Sequence, residues 1–115
     1  MLDTETIYLT MTGIFVVTGI AWVLNGLSAF SSWRTFRVRA DLGWLIAFLI
    51  LAMVAGSRAL EAYRWLGQVQ ADVLAPSFVE LLGDVAIGTL RFAAFEMAAA
   101  LTTLFAFNAR RLSLD

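Results

Sequence analysis

The sequence predicts an all-α membrane protein of three transmembrane helices. Two observations predict it. Three apolar runs each reach or exceed the about 20 residues that a helix needs to cross a hydrocarbon core. Hydrophobic residues make up 61% of the 115, against about 45–50% in a soluble domain, and the mean hydropathy is +0.82. Length favours a single domain covering residues 1–115.

The first span is expected over about residues 6–30, since no charged residue lies between Glu5 and Arg34. The preceding MLDTETIY is acidic and lacks the basic n-region of a secretory signal, so this run is expected to be retained. Thr12, Gly19 and Gly26 recur at seven-residue spacing. On a helix they form one stripe along which a neighbouring backbone could approach closely. A polar connector, SSWRTFRVRAD, follows and carries Arg34, Arg37 and Arg39.

The second span is expected over about residues 42–66, uncharged from Leu42 to Ser57 and then carrying Arg58, Glu61 and Arg64. At about 1.5 Å per residue Arg58 lies about 25 Å beyond Asp41, near the far edge of the hydrocarbon. Tyr63 and Trp65 stand at the same level, where aromatic belts form. The second connector, GQVQADVLAPS, holds the only proline, Pro76, a helix-start signal. Its Val69, Val73 and Leu74 allow a short interfacial helix before the third span, which is expected over about residues 85–108.

Orientation follows from the arginines. The first connector and the C-terminal tail share one side and hold Arg34, Arg37, Arg39, Arg110 and Arg111. The other side holds Asp3, Glu5 and Asp72, with Arg64 as its clear base. The bias predicts the N-terminus outside and the C-terminus in the cytoplasm, in a bacterial or archaeal plasma membrane.

Composition excludes several chemistries. There is no Cys and no His, which removes disulfides, Cys/His zinc sites, thiolate Fe–S clusters and bis-His haem. Ser28, Ser31, Ser32 and Ser57 have no histidine to activate them. No P-loop, GxGxxG or HExxH motif is present. The chain is therefore expected to be no enzyme and to take no cofactor or metal. Few basic residues in two short groups argue against nucleic acid as a partner.

Two features carry possible chemistry. The first is an outer charged layer of Arg58, Glu61 and Arg64 on the second helix and Glu80, Asp84 and Arg91 on the third. Such a layer reads as ion pairing that sets the register of a hairpin, or as a ligand or partner site. The second is Glu96, in the alanine-rich AAFEMAAALTT with Thr89 and Thr103 on the same face. It lies about 18 Å from Asn108, near the bilayer midplane. It must face protein or a polar cavity, with Arg58 or Arg91 as charged partner. It reads as a structural hydrogen-bonding group or as a proton or cation relay.

Three functional readings follow. The first is a non-catalytic subunit or self-assembling component of a membrane complex, in contact with lipid and with other membrane subunits or its own copies. The second is a pore-former, since size and topology are similar to those of the larger phage holins. No motif is shared with them, and the tail NARRLSLD is shorter and less basic than theirs. The third is a sensor or a proton- or ion-handling transport component using Glu96.

Overall fold

A computed structural model of the chain describes residues 3–114, with side chains described for residues 3–109. It is all helical: α1 (Thr4–Phe36), α2 (Arg39–Gln70) and α3 (Pro76–Leu114). Each helix is long and apolar enough to cross a membrane.

The helix ends follow local chemistry. Asp3 caps α1, its carboxylate accepting the Thr6 N–H at 2.8 Å, so one of the free donors of the first turn is satisfied. At the other end Arg37 adopts the left-handed region at φ 58°. Its N–H donates to the Trp33 carbonyl at 2.8 Å, closing the last turn. Its guanidinium lies 5.0 Å from the centre of the Trp33 ring, an attraction that offsets part of the backbone strain. The expected eleven-residue polar connector is thus mostly helix, and the link from α1 to α2 is only Arg37 and Val38. Nothing from Ser31 to Phe36 is Gly or Pro, so nothing there stops α1.

The short interfacial helix expected before the third span is not formed. Val69 belongs to α2, which runs on to Gln70, and α3 begins at Pro76. The residues 71–75 between them include Asp72 at φ 57°, which breaks the helical path. So short a link cannot repay helix nucleation. Pro76 stands at the first helical position, where its missing N–H costs nothing, and the Ala75 carbonyl accepts from Phe78 and Val79.

The helix order places α1 between the other two. α1 packs along both α2 and α3, while α2 and α3 scarcely approach each other. The seams repeat every seven residues. α1 buries Tyr8, Phe15, Trp22 and Ala29 in one column and Met11, Thr18, Asn25 and Ser32 in a second. α2 buries Asp41, Phe48, Ala55 and Ala62. α3 buries Ala86, Ala93, Ala100 and Phe107. A strict seven-residue seam favours left-handed crossings near about 20°. Alanine on α3 lets the larger side chains of α1 fill the gap.

The stripe on α1 faces α2, at distances that would admit a β-carbon. A β-carbon on Gly19 would lie 3.7 Å from Ala55 Cβ, and one on Gly26 would lie 3.6 Å from Leu49 Cδ2. Both glycines therefore face α2, with Thr12 half-buried on the same line. The outward surfaces are apolar: Leu9, Ile20, Leu27, Ile46, Ile50, Met53, Phe95 and Phe105 are all exposed, as lipid contact requires.

Apolar packing between helices gains nothing from water exclusion in lipid, so polar contacts carry more of the specificity. The second α1 column supplies them. Thr18 satisfies its hydroxyl within α1 itself, donating to the Ile14 carbonyl at 2.8 Å, while the residues below it in the column reach across. Asn25 Nδ2 donates to the Ala100 carbonyl of α3 at 3.1 Å. Ser32 donates to Asp41 Oδ2 of α2 at 2.7 Å. Beside this column, Ser28 donates to Asn108 Oδ1 at 3.2 Å. α1 is thereby pinned to both neighbours.

Candidate functional site: the cleft between α2 and α3

Because α1 holds α2 and α3 apart, the two flanking helices form the walls of a cleft with α1 as its floor. One contact closes it midway. Arg58 Nη1 lies 2.8 Å from Glu96 Oε2, the one ion pair among the described residues. Arg58 comes from α2 close to the level where Gly19 meets Ala55 and Gly56. Glu96 comes from the α3 stretch just before Ala100, which accepts from Asn25. The pair therefore sits within the apolar length of all three helices, where an isolated charge is costly and pairing offsets the cost. Glu96 is 14% exposed and Arg58 41% exposed. The guanidinium also lies 5.9 Å from the centre of the Phe92 ring.

The bridge divides the cleft. Toward the N-terminal end of α1 is a cavity of about 340 Å³ bounded by all three helices. Met11, Phe15, Trp65, Leu82 and Val85 make its apolar wall, and Tyr8, Arg58, Glu61 and Thr89 its polar groups. Toward the opposite end is a groove of about 360 Å³ lined by Trp44, Phe48, Thr102, Thr103, Ala106 and Phe107. Its aromatic rings pack together, Phe48 against Trp44 at 5.7 Å and edge-on against Phe107 at 5.8 Å between centroids.

Of the charged residues singled out in sequence, Arg58 and Glu96 come together and the others do not. Glu61 lines the cavity but is exposed. Arg64, Glu80, Asp84 and Arg91 are also exposed, and none of these five forms an ion pair among the described residues. The expected layer across α2 and α3 is not assembled: the helices meet at that level through the Trp65 and Phe78 rings, 6.2 Å apart, while the charges themselves stay exposed and unpaired among the described residues. Arg91 is two residues from buried Ala93, roughly 160° around a helix of about 100° per residue. It therefore points away from α1. Thr89 and Thr103, on the Glu96 side of α3, line the cavity and the groove respectively.

Sequence reasoning missed the buried polar column on α1 and the pairing of Ser32 with Asp41. Their seven-residue spacing through Thr18, Asn25 and Ser32 was the available signal. Among the described residues no cluster of metal-ligating side chains occurs. No protein-family model matches the chain, and no curated protein or solved structure matches it.

Proposed function

We propose that the protein is a small non-catalytic component of a membrane complex, joining other membrane subunits or copies of itself through the outward face of α3. The observation that carries this reading is Arg91. It lies within the expected third span, exposed and without an ion-pair partner among the described residues, on the side of α3 opposite the Ala86–Ala93–Ala100 seam. At that outer level the guanidinium can snorkel to the interface, and an acceptor on a protein neighbour would give it a specific partner. The bridge to Arg58 supports a structural reading of Glu96 over a proton relay. The arginine bias supports an arrangement with the N-terminus outside and the C-terminus in the cytoplasm.

The test is the mass and composition of the full chain extracted into lipid nanodiscs. A complex larger than one chain is expected, and Arg91→Gln should disperse it while leaving helix content unchanged. A single chain without associated protein, in native lipid as well as in nanodiscs, would overturn the proposal.

A further inference from the structure

We infer that the cavity between the three helices is a binding site for a lipophilic monocation, an organic ammonium or phosphonium carried on an apolar body. The cavity volume of about 340 Å³ lies in the range of small-ligand pockets, about 300–1,000 Å³.

Three observations set the ligand's chemistry. The first is the charge balance. Arg58, Glu61 and the Glu96 bonded to Arg58 are the charged groups in and beside the cavity. Arg58 engages Glu96 at 2.8 Å, while Glu61 has no ion-pair partner among the described residues. The carboxylate of Glu61, exposed at the edge of the cavity, is the charge left to meet a positive group.

The second is Tyr8. It is only 6% exposed, it lines the cavity, and its hydroxyl has no hydrogen-bond partner among the described residues. The hydroxyl itself is not fully buried, since the buried side-chain atoms without a partner among the described residues are Trp22 Nε1 and Asn25 Oδ1, and it opens to the cavity it lines. Here the cavity is where a partner would sit.

The third is the wall. Tyr8, Phe15 and Trp65 bring aromatic rings from α1 and α2, and aromatic faces attract organic cations. Met11, Leu82 and Val85 supply apolar contact for the body of the ligand. The site rests on the cleft alone and does not depend on the α3 contact proposed above.

The experiment measures equilibrium binding of tetraphenylphosphonium, and of the slimmer dodecyltrimethylammonium below its micellar concentration, to the full chain in nanodiscs. Tetraphenylborate, which has nearly the same shape and the opposite charge, is the control. Saturable binding of at least one cation is expected, at one per chain, with tetraphenylborate binding no more than it does to empty nanodiscs. Glu61→Gln should weaken cation binding about tenfold or more, and Tyr8→Phe by a smaller factor. Glu61 is exposed, so the glutamine variant should fold, and circular dichroism checks that it does. Failure of both cations to bind above empty nanodiscs would overturn the site. So would unchanged affinity in folded Glu61→Gln, or equal binding of the borate. Arg91→Gln should bind the cations normally, which keeps this result separate from the assembly test.

Discussion

Arg58 of α2 and Glu96 of α3 meet at 2.8 Å, although the helices that carry them run apart on either side of α1. The two flanking helices are thus joined less by packing than by a charged bridge with aromatic neighbours. Removing Arg58 leaves the Glu96 carboxylate without its partner in an apolar layer, and removing Glu96 leaves Arg58 with only the more exposed Glu61 beside it.

That geometry makes the pair's energetics measurable. Arg58→Ala and Glu96→Ala should each destabilise the fold. The double variant should cost less than their sum, by about 0.5–3 kcal/mol. Glu96→Gln keeps an acceptor but not the charge, so it should fall between wild type and Glu96→Ala. Unfolding in mixed micelles gives the cycle. Strict additivity would mean that each group is solvated independently and that the bridge holds nothing.

A second prediction concerns the close approach of α1 and α3. A β-carbon on Gly83 would fall 2.6 Å from Thr4 Oγ1, and that hydroxyl donates to the Val79 carbonyl at 3.1 Å. Gly83→Ala should break this bond and loosen the start of α1, costing about 0.5–1.5 kcal/mol less any gain in helix propensity. Adding Thr4→Ala removes the obstructing oxygen, so the double variant should recover stability relative to Gly83→Ala. Gly19→Ala is the contrast. Its β-carbon would sit 3.7 Å from Ala55 Cβ, an ordinary contact, so that variant should be neutral or stabilising. Equal losses at Gly83 and Gly19 would contradict this account of the packing.

These contacts show what could be read in advance. Helix number followed from uninterrupted apolar runs, because a span must satisfy its backbone internally, while the helices themselves run beyond the expected spans at each end. The stripe through Gly19 and Gly26 was visible as spacing, but spacing cannot say which helix fills it; the structure puts α2 there. Pairing across α2 and α3 looked natural from chain order and antiparallel direction. The seven-residue columns on α1 make it the central helix instead, and that decides which of the outer charges can meet. Arg58 reaches Glu96 because both lie on the cleft side of their helices. Arg91 points away because its position on α3 is set by Ala86 and Ala93 facing α1. Ser32 read as a connector residue until α1 proved to continue through it to Phe36.

Acid should loosen the start of α1. Hydrogen bonds from Thr6, the side chain foremost and then the backbone N–H, hold the Asp3 carboxyl below its ordinary value of 3.8. A carboxyl whose value is lower when folded favours folding above its unfolded value, and loses that contribution as pH falls through the folded one. Lowering pH from 5 through this range should therefore fray the first turn of α1, seen as faster amide exchange at Thr6 and Ile7 after correction for intrinsic rates. Asp3→Asn retains an acceptor that does not titrate, so its corrected exchange should stay flat with pH. A wild-type profile identical to that of Asp3→Asn would show that the carboxylate does not cap the helix.

The last prediction is the orientation in the membrane. The native chain contains no cysteine, so single cysteines can report on each side. The choice of position matters, because Ser32 is fully buried against Asp41. A cysteine there would be shielded whichever side it faced. Thr35, one residue before the end of α1, is exposed, and Ala71 and Asp72 in the α2–α3 link are exposed as well. With five arginines flanking one side and acidic groups on the other, the arginine-rich side should remain in the cytoplasm. Thr35→Cys should then resist a membrane-impermeant maleimide in intact cells and react after permeabilisation. Ala71→Cys should react without permeabilisation. The reverse pattern would invert the topology and place the cavity lined by Tyr8, Arg58 and Glu61 on the cytoplasmic half. Labelling of both sites in intact cells would instead indicate a mixed orientation, in which the arginine bias is too weak to fix one direction of insertion.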